Sequence, residues 1–188
     1  MITNHDVIYR QIVTLHDGAR VLLRPLAPDD RQALIDMYAP ISPEDRRYTR
    51  HDVTDPEVVG KWVDELNYDK VLPLIAVIGN RIVGNATLHF FEGPSRHRAE
   101  VRIFLAKEIR RRGVGSRMLQ ALIDLAKRRN IYLIEAQILN DQASVIKAFQ
   151  ALGFNLKCVF EDYFILPDGE LRDIANLILY LRDSGGEF

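Results

Sequence analysis

The segment from Ile103 to Ser116 places a basic, glycine-containing loop between a predicted strand and a predicted helix. Ile103-Phe104-Leu105 ends the strand, and helical periodicity begins at Gly113. Glycine lets the backbone approach a ligand closely, and the first amides of a helix point outward at the positive end of the helix dipole. The segment therefore predicts a binding site for an anion such as a phosphate or pyrophosphate.

The glycine spacing separates this loop from two familiar nucleotide sites. A dinucleotide-binding fingerprint would have a third glycine at position 118, where this chain has Met118. A P-loop would end in Gly-Lys-Ser or Gly-Lys-Thr, and the loop contains neither. Both nucleotide interpretations are therefore excluded.

The hydrophobic pattern around the loop predicts a mixed α/β chain. Predicted strands form antiparallel pairs at 9–24 and 72–91, single strands at 99–105 and 131–139, and a C-terminal hairpin at 158–181 around Pro167-Asp168-Gly169. Predicted helices follow Asp29-Asp30 and Asp55-Pro56, and two more cover 113–130 and 143–152. The segment Ala39–Thr54 is predicted to be irregular. Since no repeat or linker interrupts the pattern, we expect one domain over residues 1–188, with a frayed tail at 184–186.

Arg110-x-x-Gly113-x-Gly115 resembles the acyl-CoA pyrophosphate loop of the GNAT superfamily of N-acyltransferases, whose pattern is Gln or Arg, two residues, Gly, one residue, then Gly or Ala. The order of strand, loop, long helix, strand and short helix is also similar, and it closes on a Gly153-Phe154 pair. The resemblance covers about residues 19–181. Two stretches, Ser42–Tyr48 and Ala99–Val101, look like the GNAT domain of bacterial protein-lysine acetyltransferases.

The resemblance implies an α/β (α+β) GNAT fold and acetyl-CoA (coenzyme A) as cofactor. The sheet would be mixed and mostly antiparallel, with about seven strands, a splayed central parallel pair and about four flanking helices. Backbone groups of the 101–105 strand would bind the pantetheine arm, and those of the loop the pyrophosphate. The implied cofactor-binding residues are Ile103, Phe104, Leu105, Arg110, Arg111, Arg112, Gly113, Val114, Gly115, Ser116 and Phe149.

Family chemistry is direct attack of an amine on the thioester, so the amine, with a reference pKa of about 10.4, must lose a proton. A carboxylate near the thioester can accept it. Glu100 is the predicted catalytic base, because the lysine acetyltransferase branch has its base in a comparable Ala-Glu context, and Glu135 is the second candidate. The alternative is that either glutamate faces solvent or pairs with Arg102 or Arg98.

Phe149 departs from the family pattern, because many members have there a tyrosine that protonates the departing thiolate. Phenylalanine has no proton to donate. Since a thiol has a reference pKa of about 8.5, the loss of that acid need not abolish activity. Tyr163 is a substitute that nothing in the sequence positions.

Composition excludes several other function classes. The formal net charge of −1 gives no global attraction to nucleic acid or anionic membrane, and no apolar run has the roughly 20 residues of a membrane span. The 5 histidines show no metal-ligand spacing, so no metal is expected. The single Cys158 predicts a packed residue with no internal disulfide, and with the lack of a signal-peptide pattern it favours the reducing cytoplasm.

Three functions stay open from the sequence. The leading one is an acetyl-CoA-dependent N-acetyltransferase that modifies a protein lysine or a small-molecule amine. The second is a non-catalytic acyl-CoA-binding regulatory module, which Phe149 favours. The third is an anion- or RNA-binding protein that uses Arg110–Arg112. The acceptor and the oligomeric state stay undetermined, with a homodimer among the options.

Overall fold

A computed structural model describes residues 8–166 and 168–181 of the chain. Within them the backbone forms two compact units. One consists of the chain up to Thr87 together with Ile103–Leu122, and the other consists of Leu88–Arg102 together with the chain from Ile123 onward. The single domain predicted over residues 1–188 stays a prediction. Pro167 and the tail at 184–186 lie outside the described residues.

The first unit combines antiparallel strands with three helices. Its strands are β1 (Gln11–Thr14), β2 (Arg20–Pro25) and β3 (Val71–Ile78), and its helices are α1 (Arg31–Tyr38), α2 (Pro43–Arg46) and α3 (Pro56–Asp64). β2 pairs in antiparallel fashion with both β1 and β3, as its apolar alternation predicts. Helix α3 begins where it was expected, because the Asp55 side chain accepts a hydrogen bond from the Glu57 amide at 2.9 Å.

The second unit combines three strands with one helix. They are β6 (Leu133–Leu139), α5 (Ala143–Ala151), β7 (Asn155–Ile165) and β8 (Leu171–Tyr180). β8 pairs in antiparallel fashion with β6 on one side and β7 on the other. Three further elements contribute residues to both units: β4 (Arg81–Phe90), β5 (Arg98–Leu105) and α4 (Val114–Arg128).

β5 and β6 form the parallel pair that the resemblance implies. Their register joins only three positions, from Arg98↔Leu133 to Glu100↔Glu135, although both strands continue beyond it. Parallel pairing that stops this early is the expected splay. The described residues contain eight strands and five helices, so the predicted mixed, mostly antiparallel α/β class is confirmed. The extra helix is α2, inside the segment predicted to be irregular.

Each unit has an apolar core that fixes the elements carrying the candidate site. In the first unit, α1 and α3 bury Leu34, Met37, Val59 and Val63 against strand residues such as Ile75. A smaller cluster in the second unit joins Leu139, Leu166 and Ile174. Burial of such side chains contributes about 1.5–3 kcal/mol each. No helix of the described residues is long and apolar enough to cross a membrane.

Candidate functional site

The loop before α4 has the backbone conformation that its glycines predict. Gly113 has φ 82°, in the left-handed region that side-chain-bearing residues avoid. Arg111 adopts φ 60° although it is not glycine, which costs of order 1–3 kcal/mol and is typical of ligand-binding segments. Backbone that alternates in this way turns successive amides toward one side, which creates a concavity for an anion.

Gly115 is needed for space. A Cβ atom there would lie 3.1 Å from Leu105 Cδ1 and 3.7 Å from Ile103 Cδ1. The absent side chain therefore keeps the first turn of α4 close to the end of β5. The amides of Val114, Gly115 and Ser116 have no acceptor inside the helix, because they belong to its first turn. These features fit a pyrophosphate group at this loop.

Arg110 fastens the loop to two other parts of the first unit. Its Nε donates to the Leu105 carbonyl at 2.9 Å, and its Nη1 donates to Asp45 Oδ1 of α2 at 2.7 Å. The hydrogen bond from Arg110 holds the pKa of Asp45 below its usual range. The predicted role of Arg110 in cofactor binding stays a prediction, and its side chain joins the loop to the Ala39–Thr54 segment.

The other two arginines of the loop differ from each other. Arg112 forms an ion pair with Asp17 in the β1–β2 turn, whereas Arg111 is exposed. Two of the three guanidinium groups therefore face carboxylates of the first unit. This pairing weakens the hypothesis that the arginines bind RNA, because the phosphates of an RNA backbone would have to compete with Asp45 and Asp17.

The residues predicted to bind the pantetheine arm, Ile103, Phe104 and Leu105, are half-buried at the end of β5. The Phe104 ring packs 4.9 Å from the Tyr38 ring, and the Arg110 guanidinium lies 5.7 Å from its centroid. Burial raises the pKa of Tyr38 to about 12, and its hydroxyl accepts a hydrogen bond from Asn85 Nδ2 at 3.3 Å. Tyr38 is therefore neutral and helps to hold Phe104.

The two candidate bases line one pocket of the second unit. Glu100 and Glu135 are register partners on β5 and β6, and each is less than a tenth exposed. The pocket has a volume of about 410 Å³. Its walls combine acidic, amide and aromatic side chains with one arginine, and the lining residues are Phe91, Arg98, Glu100, Glu135, Gln137, Phe160, Tyr163 and Asn176. Such walls suit an amine with an apolar stem.

Both glutamates form the ion pairs with Arg102 and Arg98 that the sequence analysis gave as the alternative to a catalytic role. Arg102 donates to both oxygens of Glu100, at 3.1 and 2.9 Å. Arg98 donates to Glu135 Oε2 at 3.0 Å, while Asn176 and Gln137 donate to Oε1 at 2.8 and 3.3 Å. Each carboxylate oxygen has two lone pairs, so a carboxylate that accepts hydrogen bonds can still take up a proton.

Phe149 is a core residue of the second unit. It is 3% exposed and packs edge-on against Phe154, with ring centroids 5.0 Å apart. Tyr163, the possible substitute acid, is half-exposed, lines the pocket and stacks on Phe160 at 5.0 Å. Cys158 is exposed on β7, so its predicted packing is wrong.

Sequence reasoning missed several residues that shape these sites. A Cβ on Gly84 would lie 2.7 Å from Leu105 Cδ2, so this glycine makes room for the end of β5. Asp45 and Asn176 were also missed. Polar Glu135 and Gln137 alternate in an otherwise apolar strand, and this was the available signal for the pocket. Among the residues the structure describes, no cluster of His, Cys, Asp and Glu could hold a metal ion.

Comparison with known proteins identifies the family and the fold of this chain. The family model described as Acetyltransferase (GNAT) family matches residues 32–154. A search of curated proteins finds no match. Among solved structures, the GNAT domain of PAT from S. lividans has a TM-score of 0.76 at 24% identity, over 96% of this chain and 99% of that one.

Two other solved structures have the same fold at lower identity. The ribosomal-protein-S5-alanine acetyltransferase from Vibrio fischeri has a TM-score of 0.78 at 17% identity, over 88% of this chain and 96% of that one. The protein yncA from Salmonella typhimurium, solved with its cofactor acetyl-CoA, has a TM-score of 0.74 at 18% identity, over the same shares of the two chains. The GNAT fold predicted from Arg110, Gly113 and Gly115 is confirmed.

Proposed function

This chain belongs to the acetyltransferase (GNAT) family, and we propose that it is an N-acetyltransferase that moves an acetyl group from acetyl-CoA to a primary amine of a protein lysine or a small molecule. The observation that carries the proposal is the backbone of the 110–116 loop, with Arg111 and Gly113 at positive φ before the first turn of α4. A loop of this kind is built for an anion such as the pyrophosphate of coenzyme A.

The first unit would bind the cofactor through backbone groups. Amides of residues 111–116 hold the pyrophosphate, and Gly115 keeps that turn close to Leu105. Ile103–Leu105 offer backbone groups to the pantetheine arm, and Arg110 fixes the loop through its bond to the Leu105 carbonyl. Bound acetyl-CoA supplies an acetyl group activated as a thioester.

The pocket of the second unit would take the acceptor amine. Carboxylates attract the ammonium form, and the rings of Phe91, Phe160 and Tyr163 cover its apolar stem. Glu100 then accepts the ammonium proton, directly or through a water molecule, and this frees the nitrogen lone pair. The lone pair would form the new C–N bond as the C–S bond breaks, and the second proton that leaves the nitrogen would pass, directly or through water, to the departing thiolate. Glu135 is the second candidate for this role.

The non-catalytic acyl-CoA-binding module stays the second candidate function. It is favoured by Phe149, which is buried against Phe154 and cannot protonate a thiolate. It is also favoured by the arginine partners of both pocket carboxylates. We propose the reaction nonetheless, because a thiolate is a tolerable leaving group and Glu100 lines the pocket that would take the acceptor amine.

Two measurements test the proposed function. Coenzyme A should raise the melting temperature in a saturable manner, which an RNA-binding arginine cluster would not produce. Turnover of acetyl-CoA with panels of small amines and lysine peptides then separates enzyme from module. Saturable binding without turnover for any acceptor would favour the module. We further propose that residues 1–188 form one domain. We also propose that the protein works in a reducing cytoplasm, because its single cysteine cannot form an internal disulfide.

A further inference from the structure

Asn176 is a buried polar residue in the middle of an apolar strand. It is 9% exposed, and its neighbours along β8, Ile174, Ala175 and Leu177, are fully buried. Asparagine is depleted in strands, and burying its amide costs free energy unless the amide is hydrogen-bonded. An apolar side chain would serve the fold at lower cost. We therefore expect both ends of this amide to have polar partners.

Only one end of the Asn176 amide has a partner among the residues that the structure describes. Its Nδ2 donates to Glu135 Oε1 at 2.8 Å. This bond fixes the orientation of the amide, because the reverse orientation would set two oxygens against each other. Oδ1 is buried and accepts no hydrogen bond from the described part of the chain. Since a buried acceptor without a donor is costly, Oδ1 predicts a ligand or a water molecule that supplies one.

The pocket of the second unit is where such a donor can bind. Asn176 lines this pocket of about 410 Å³ together with Glu100 and Glu135. Each of these carboxylates is already paired with an arginine. An amine in the pocket therefore needs further acceptors for its N–H groups, and the amide oxygen of Asn176 is a neutral one.

We propose that Asn176 Oδ1 accepts a hydrogen bond from the acceptor amine and so selects amines over alcohols; the inference rests on the proposed function. An ammonium group has three N–H donors, whereas a hydroxyl has one O–H. After one proton passes to Glu100, two N–H groups stay on the nitrogen, and the one bonded to Asn176 is retained in the amide product. An alcohol that gives its single proton to Glu100 leaves Oδ1 without a donor. Asn176 is thus a specificity-determining residue.

Binding of pentylamine to the full chain tests the proposal without turnover. Pentyltrimethylammonium is the matched probe, because it has the same stem and charge but no N–H group. A ligand-observed NMR titration should show saturable binding of pentylamine to wild type, and Asn176→Leu should raise the dissociation constant about tenfold. The same substitution should leave the affinity for pentyltrimethylammonium unchanged.

Two further variants control for effects on the fold. Asn155→Leu makes the same chemical change at an exposed position of β7, where the Asn155 amide donates to the Gly153 carbonyl at 3.2 Å. Residue 155 is not among those that line the pocket, so pentylamine affinity should stay at the wild-type value. Asn176→Val has a side chain that strands favour, and it repeats the test if the leucine variant does not fold.

The possible results distinguish this inference from the proposed function. Equal pentylamine affinity of wild type and the Asn176 variants would mean that water occupies Oδ1, and it would overturn the inference. An equal loss for both probes, or no saturable binding of pentylamine to wild type, would overturn it as well. Pentylamine binding that depends on Asn176, in a protein that acetylates no amine, would refute the proposed function and support the amine site.

Discussion

Replacing Gly113 by valine separates backbone strain from ligand binding. Gly113 has φ 82°, and a Cβ there would meet no atom within 4 Å, so the substitution adds strain without a clash. Forcing a side-chain-bearing residue into this region costs about 1–2 kcal/mol. For a chain of this size, each kcal/mol lowers the melting temperature by about 2–4 °C, so we expect a loss of about 2–8 °C.

Gly169 provides the matched control. It lies in the β7–β8 turn with φ 85°, and a Cβ there also meets no atom within 4 Å. Gly169→Val should therefore lower the melting temperature by a similar amount. Its turn has no proposed part in cofactor binding, so affinity for coenzyme A should stay at the wild-type value.

Affinity for coenzyme A is the discriminating measurement. A valine that shifts the loop should remove at least one amide hydrogen bond to the pyrophosphate, which contributes about 1.5–3 kcal/mol when one partner is charged. The dissociation constant of Gly113→Val, measured by isothermal titration calorimetry, should thus rise about 10- to 100-fold. A Gly113→Val protein that melts like Gly169→Val and still binds coenzyme A with unchanged affinity would refute the assignment of the loop.

Three further predictions concern side chains of the two units. Glu100→Gln should lower turnover about 10²–10⁴-fold at neutral pH, with a deficit that shrinks as the acceptor amine deprotonates at higher pH; a pH–rate profile identical to wild type would transfer the role to Glu135. Phe149→Tyr should lower the free energy of unfolding by about 1–3 kcal/mol, because it buries a hydroxyl in an apolar contact, and should leave coenzyme A affinity unchanged; urea titration and calorimetry check both. The pKa of Asp45 is held below its usual range by Arg110, so this pair stabilises the fold above the unfolded value of about 3.9 and loses its effect as pH falls through the lower folded pKa. The stability gap between wild type and Asp45→Asn, about 0.5–1 kcal/mol at pH 7, should therefore shrink as the pH falls below the unfolded value of about 3.9, and a constant gap would contradict the ion pair.

The sequence predicted the loop and the strands beside it, because their signals are local. Glycine at 113 and 115 restricts the backbone wherever the loop lies, and apolar periodicity identifies α4 and β6. Helix α2 was missed because four residues are too few for periodicity to show. Its one local signal was Ser42, whose side chain accepts a hydrogen bond from the Asp45 amide at 3.1 Å.

The partners of the candidate bases depend on contacts that a linear pattern does not contain. Arg102 lies two residues after Glu100 on one strand, so a shared face could be predicted. The bond from Asn176 to Glu135 requires β8 to lie beside β6, and sequence alone does not give that register. Exposure of Cys158 likewise follows from the edge position of β7, whereas its apolar neighbours suggested burial.

The Arg110–Asp45 bond divides the Ala39–Thr54 segment into two stretches with different freedom to evolve. Asp45 is anchored through Arg110 to the carbonyl that ends β5, so a length change before it would pull on the glycine loop. The stretch from Arg47 to Thr54 follows the anchor and precedes the capped start of α3 at Pro56. Insertions at the exposed positions of this stretch can change its length while the cofactor loop keeps its geometry, whereas Val53 belongs to the core of the first unit and has to stay.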